Sequence, residues 1–366
     1  MAIEHNYDPD YAAAPGEILE EILDVRGISK GDLAERCGLT PKTISLITAG
    51  KAPVTPETAI QLERVLGMSA NVWNNLEANY RLFCAKEQDC GELEKYEDWL
   101  NGFPIKEMVR RRWVDRGSNL AENVAILLNF FGVGSVASWE EKYGNLCVRL
   151  RKAATYQPSR EALAAWIRRC EIKAAEIKTK PYSKERMSKV LNEMRGLSCE
   201  DPEVFEPRMV ELMASTGVAL VFVAELSGTH LSGATKWLSS YKAMMALSLR
   251  YKTDDHLWFT FFHEAAHLKL HSKKLAFIDG TDRESQDQQE EEADQFAANH
   301  LIPQRTYRRF IEEGIFTADS IRVLAGELGV APGIIVGRLQ HEEYLGWTTP
   351  LNYLKCRFQL VEQDVS

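Results

Sequence analysis

Short helical patterns separated by regular turn signals fill residues 16 to 82, which predicts one compact helical domain. From about 86 to 200 the chain stays helical at longer wavelength. There "ENVAILLNFFGV" and "SREALAAWIRRCEIKAAEI" repeat apolar residues at three- and four-residue spacings, with Gly and Pro between them. At 217 the period changes: "GVALVFVAEL" is a β-branched run of strand length, and "AMMALSLRY" alternates like a second strand before helix returns at 257. The tail from 317 carries two short helical patterns and then an aromatic segment, expected to close the domain before it. These shifts predict three parts: an all-α domain over 1–83, a helical linker region over 84–154, and an α+β domain with a small β-sheet over 155–366.

Start signals sharpen the first part. In "ISKGDLAERCGLTPKTISLITAGK", Ser29 followed three residues later by Asp32 predicts a capping box, and Thr40-Pro41 places a cap and then a proline at the first helical position. Ala34 is small enough for close helix packing, Gly38 can take a turn conformation, and Ile44 returns an apolar anchor to the core. That is the spacing of a helix-turn-helix. The second helix, Pro41 to about Thr48, is then the recognition helix. Thr40, Pro41, Lys42, Thr43 and Ser45 face outward, suited to the major groove or to phosphates, and Lys30 in the preceding helix is placed to meet the DNA backbone. A helical bundle with ordinary caps that touches no nucleic acid is the competing reading, favoured by the excess of acidic over basic residues in this domain.

Composition narrows the classes. At 366 residues, 45% apolar and 27% charged, the chain can bury a sizeable core without staples. Seven scattered cysteines (Cys37, Cys84, Cys90, Cys147, Cys170, Cys199, Cys356) include no Cys-x-x-Cys, so neither a disulfide framework nor a thiolate zinc site is expected, and they are read as buried or partly buried thiols. No apolar run approaches the roughly 18 residues of a membrane span, and the acidic start lacks a secretory pattern, so a cytoplasmic place with no membrane partner is expected. The formal net charge of −9 argues against wholesale polyanion binding and leaves room for a local basic surface.

The densest chemistry lies in "HLWFTFFHEAAHLKLH", residues 256 to 271. A helix puts His263 and His267 on one face, where both imidazoles can aim at one ion while Glu264 projects toward a water beside it. The apolar "WFTFF" before them would bury the helix, and two histidines and a glutamate there would be costly without a shared partner. Zinc needs a third protein ligand and an open position. "EEEADQFAANHLIP", residues 290 to 303, is the source: with Ala293, Phe296, Ala297, His300 and Leu301 as its buried stripe, Glu290 lies nearest the stripe, Glu292 farther round and Glu291 on the far side. Asp294, one turn beyond Glu290, is placed to accept the free N–H of a metal-bound histidine. His271 is read as a supporting or surface residue, His256 and His300 as structural, and His230 as a loop residue with a weak claim on the oxyanion.

Two family resemblances follow from these residues. The stretch from Pro15 to Leu82 resembles the Xre-type helix-turn-helix of HigA-type antitoxins, a lambda-repressor-like fold, on Pro15-Gly16-Glu17-Ile18-Leu19, Leu33-Ala34, Ile44-Ser45, Gly50-Lys51, Thr55 to Thr58 and Leu66-Gly67. Lys30 stands where that family often has Gln. "FTFFHEAAHLKLH" with "EEEADQFAANHLIP" resembles the ImmA/IrrE group of zinc metallopeptidases, zincin-like and gluzincin-like in ligand set, with Ala266 where the family commonly has Gly. The resemblances imply Zn2+ held by His263, His267 and Glu290, Glu264 as general base, operator DNA bound by a homodimer, and a small ribonuclease toxin or a partner repressor as target. The expected function is a DNA-binding regulator of the antitoxin type with a zinc endopeptidase domain that cuts itself or a partner repressor. The alternative is a non-catalytic antitoxin and autoregulator whose metal domain serves folding, toxin binding or sensing.

Overall fold

The structure is a computed structural model describing residues 11–144, 159–271 and 283–359, with side chains in the last stretch from 288 onward. Two compact bodies divide it. One takes residues up to Glu97 together with Gly117–Ala125, and the other takes Asp98–Arg116 and Ile126 onward.

Five helices build the first body: α1 (Pro15–Arg26), α2 (Lys30–Cys37), α3 (Pro41–Thr48), α4 (Pro56–Leu66) and α5 (Ala70–Leu93). Their starts are set by side-chain caps. The Ser29 hydroxyl accepts from the Asp32 N–H at 3.1 Å, and Thr40 and Thr55 accept from Thr43 and Thr58 at 3.1 and 3.3 Å. The Asp32 carboxylate is engaged by Arg36 one turn on, so only half of the expected capping box forms. Gly38 closes α2 at φ 68°, the left-handed cap that glycine takes without strain. Leu19, Leu33, Ile44, Leu62 and Trp73 fill the core. Gly16 lets α1 lie against the α3 backbone, where any Cβ would run into the Ile47 carbonyl. Helix α5 runs unbroken through position 83, so the expected boundary there falls inside a helix.

The second body holds α6 (Glu97–Asn101) from its second residue, α7 (Ile105–Arg110), α8 (Leu120–Phe131) from Ile126, α9 (Val136–Trp139), α10 (Arg160–Glu176), α11 (Lys184–Gly196) and α12 (Pro202–Thr216). Strands β1 (Val218–Phe222), β2 (Gly233–Trp237) and β3 (Ala243–Leu247) follow, then α13 (Asp254–Leu270), α14 (Arg283–Leu301), α15 (Gln304–Glu313), α16 (Ala318–Leu328) and α17 (Pro332–His341). The sheet order is β1-β3-β2. Strand β3 is central, parallel to β1 (Val218 opposite Ala243) and antiparallel to β2 (Trp237 opposite Ala243).

All five residues of β3 are buried. Both faces are covered, and the sheet separates two cores. Val218, Leu220, Met245 and Leu247 meet a core made by α11 to α17, including Trp258, Phe261 and Phe262. Ala219, Val221, Met244 and Ala246 meet the other, built from Phe103, Met108, Trp113, Phe131, Trp139, Tyr143, Trp166 and Ile167. The stretch expected as a linker thus joins α10 in building the second core, because a strand apolar on both sides needs apolar partners on both.

The run Leu120–Gly144 has the length and hydropathy of a membrane span, contrary to the expectation of none. It is interrupted at Gly132–Ser135, and Phe131, Trp139 and Tyr143 are fully buried in the second core, as in a folded domain. Cysteines depart from expectation too: Cys199, which ends a short 3-10 turn, and Cys356, just after another, are exposed. Cys147 and the expected boundary at 154–155 lie outside the described residues.

Candidate functional site

Helix α13 is anchored by Trp258, Phe261 and Phe262, fully buried beneath it, and this fixes which face turns to α14. His263 and His267 stand on that face, their Nε2 atoms 3.0 Å apart. Glu290 of α14 closes the group, with Oε2 3.2 Å from His263 Nε2 and Oε1 3.6 Å from His267 Nε2. These three form the one group of this kind among the described residues able to share a metal ion. Two donors bound tetrahedrally at about 2.1 Å lie roughly 3.4 Å apart, so the three spacings fit a single zinc-sized ion. Asp294 accepts a hydrogen bond from His263 Nδ1 at 2.8 Å. A carboxylate offers no proton, so Nδ1 of His263 carries the hydrogen, and in the neutral ring Nε2 presents its lone pair to the cluster.

Glu264, next to His263 in sequence and electrostatically coupled to it and to Glu290, lies against β2. It is 7% exposed, hydrogen-bonded by Thr235, and lies against Gly233, where a Cβ would come within 2.8 Å of Glu264 Cγ. Strand β2 was not foreseen; "SGATKW" reads as loop because its five residues carry Gly, Thr and Lys, and its signal as a strand comes from pairing with β3. Gly233 and Thr235 were therefore missed. Ala266 is fully buried, which agrees with a position that takes only small residues.

The remaining histidines separate cleanly. His271 turns its Nδ1 to His267 Nδ1 at 3.0 Å, and His300 donates from Nε2 to the Leu191 carbonyl at 3.0 Å while stacking on Phe296. His256 stacks on Tyr251 at 4.2 Å. His230 has φ 51° and its carbonyl accepts from Arg250. Glu291 is exposed and meets Gln295, and Glu292 reaches His271.

On the first body, α3 leaves Thr40, Pro41, Lys42 and Ser45 exposed, with Thr43 half-buried. Thr40 and Thr43 share a hydroxyl hydrogen bond of 2.8 Å, and the Ser45 hydroxyl donates to the Pro41 carbonyl. Lys30 pairs with Glu20 at 2.6 Å, both side chains remaining well exposed.

The helix-turn-helix family profile matches residues 19–73, and the profile described as IrrE N-terminal-like domain matches residues 220–340. The HTH-type transcriptional regulator YddM of Escherichia coli K12 is 40% identical over 68 residues, 19% of this chain and 72% of that one. The chain belongs to the helix-turn-helix regulators, with an IrrE-type domain fused behind. Virulence-associated protein I of Dichelobacter nodosus is 39% identical to the regulator over 79 residues, 21% of this chain and 72% of that one. A solved addiction module antidote protein of a HigA family from Coxiella burnetii is 28% identical, covering 23% of the regulator and 91% of that chain, with a TM-score of 0.21.

The electrostatics of the regulator's cluster follow from its crowding. Burial alone would push His263 down, but hydrogen bonds to Asp294 and Glu290 outweigh it and lift it to about 10. Burial and the neighbouring His263 charge push His267 down to about 4. Burial also raises Glu264 to about 7, with Glu290 adding to it against the pull of His263. Glu290 stays below the usual carboxylate range: burial works against it, and the His263 hydrogen bond prevails. Such a cluster of opposed shifts is the pattern of a site built for an ion or a proton transfer.

Proposed function

We propose that this regulator reads operator DNA through α3 and carries a zinc endopeptidase centre, with His263, His267 and Glu290 as ligands and Glu264 as general base. The observation that carries the reading is the convergence of three donors at ion spacing, with a buried carboxylate beside them raised to about 7. When bound, zinc supplies Lewis acidity to a water and to a peptide carbonyl. Glu264 takes the proton of the attacking water and returns it to the leaving amine, for which a value near neutrality is well matched. Asp294 orients His263. Among the described residues β2 pairs only with β3, so its outer edge can receive an extended peptide as an added strand beside Glu264.

The substrate in this reading is a helix-turn-helix repressor or the regulator's own chain between its two bodies. On the DNA side the reading is of the HigA type: a cytoplasmic dimer on a palindromic operator, with a toxin as an added partner, supported by the helix-turn-helix family of the first body. The test is to load purified regulator with zinc, measure about one ion per chain, and follow cleavage of the chain itself and of neighbouring repressors. Glu264→Gln should keep the zinc and lose the cleavage. Equal cleavage in Glu264→Gln overturns the catalytic assignment, and absence of zinc uptake overturns the centre.

A further inference from the structure

The two histidines of the cluster are supported in different ways. His263 Nδ1 donates directly to a carboxylate, Asp294 Oδ1, at 2.8 Å. His267 Nδ1 instead faces His271 Nδ1 at 3.0 Å, and His271 Nε2 stands 3.4 Å from Glu292 Oε2. Two ring nitrogens at 3.0 Å share one proton, and the far end of the chain sets its direction. The Glu292 carboxylate only accepts, so His271 Nε2 carries the hydrogen and Nδ1 of that neutral ring is the lone pair. His271 Nδ1 therefore accepts from His267 Nδ1–H. His267 Nε2 is left with a lone pair aimed at His263 Nε2 and Glu290 Oε1.

The consequence is a cluster that asks for a cation. Asp294 fixes the lone pair of His263 toward the centre, and His271 fixes that of His267 toward the same point. Two lone pairs 3.0 Å apart, next to a carboxylate, repel unless a proton or a metal ion lies among them. Sequence spacing puts His271 one turn beyond His267. There it caps the end of α13, its side chain 10% exposed, and Glu292 comes over from α14, held on its other oxygen by Gln288.

We propose that His271 and Glu292 form a positioning relay that holds His267 in the tautomer presenting Nε2 to the metal, and so set the affinity of the centre for zinc. The relay rests on the metal-centre reading above. His271 is not itself a ligand: its Nδ1 is engaged by His267 and its Nε2 points to Glu292. Its role is that of Asp294, delivered through one more ring.

Zinc affinity measured by chelator competition on the full chain tests it, with cleavage playing no part. His271→Ala should weaken zinc binding by about 10- to 100-fold, the usual cost of losing a partner that orients a ligand. His271→Asn, whose amide oxygen can still accept from His267 Nδ1–H, should recover most of that loss. Glu292→Gln should weaken binding less, and should add little when combined with His271→Ala. Nitrogen-15 spectra of the metal-free wild type should show His267 as the Nδ1–H tautomer, which keeps the proposal testable even where His271→Ala fails to fold. Wild-type affinity in His271→Ala, an Asn variant as weak as Ala, or His267 in the Nε2–H tautomer would each overturn the relay. Tight zinc binding unaltered in His271→Ala removes the relay alone, whereas a wild type that takes up no zinc removes the metal-centre reading with it.

Discussion

Gly233→Ala separates the general base from the metal ligands. Gly233 is locked in β2 opposite Leu247, and the Ser248 N–H donates to the Ser232 carbonyl at 2.9 Å, so the strand cannot back away without breaking its ladder. A Cβ there would stand 2.8 Å from Glu264 Cγ, 2.8 Å from Thr260 Cγ2 and 2.9 Å from Glu264 Oε1. Those atoms are side-chain atoms of a buried helix face, so the glutamate must turn away from its Thr235 hydrogen bond. Overpacking of this kind costs about 1–3 kcal/mol. For a body of this size each kcal/mol lowers the melting temperature by roughly 2–4 °C. Displacing the base by about 1 Å costs on the order of 100-fold in rate. The ligands lie on the face toward α14, so zinc affinity should be untouched. The assay is a thermal melt, a chelator competition and a cleavage time course on one preparation. A Gly233→Ala protein that melts and cleaves like wild type would refute the clamp of β2 on Glu264, and loss of zinc along with cleavage would refute the separation of base from ligands.

Zinc uptake should expel a proton. His263 keeps its proton to about 10 in the metal-free protein, so affinity should rise by about tenfold per pH unit between 6.5 and 10, and a flat profile would refute this. Because that value is raised, the stability His263 lends the metal-free protein is complete below 6.5 and is lost as pH rises through about 10, so the melting gap between zinc-loaded and metal-free protein should widen with pH. Glu264, raised from 4.5 to about 7, likewise lends stability below 4.5 that is lost through about 7. Glu264→Gln should therefore stabilise the metal-free protein at pH above 7, by up to ~3 kcal/mol, and a destabilised variant there would contradict the buried, ionised carboxylate. On the first body, no ion pair reaches Lys42 among the described residues, so Lys42→Ala should weaken DNA binding alike for all sequences and lower the salt slope by about 1, while Lys30→Ala, already paired with Glu20, should change it less.

Local chemistry was legible without coordinates. The caps at Ser29 and Thr40, the left-handed turn at Gly38 and the limits of α3 follow from contacts a few residues apart, and spacing alone placed His263, His267 and the carboxylates of α14 on facing stripes. Helical periodicity also sufficed to pick Glu290 from three consecutive glutamates, because an angle of 100° per residue is a property of the helix and not of its neighbours. What required the tertiary structure was every feature made by elements far apart. Strand β2 exists through β3, and its Gly233 matters only because α13 passes within contact. The segment 98–143 reads as a connector until Phe131, Trp139 and Tyr143 are seen to share the second core with α10 and the sheet. Half of the capping box was lost to Arg36, because side chains choose among partners that spacing cannot rank. His271 is the sharpest case. Its sequence position allows a ligand, a surface residue or a support, and only the direction of two protons, set by Glu292 on another helix, decides among them.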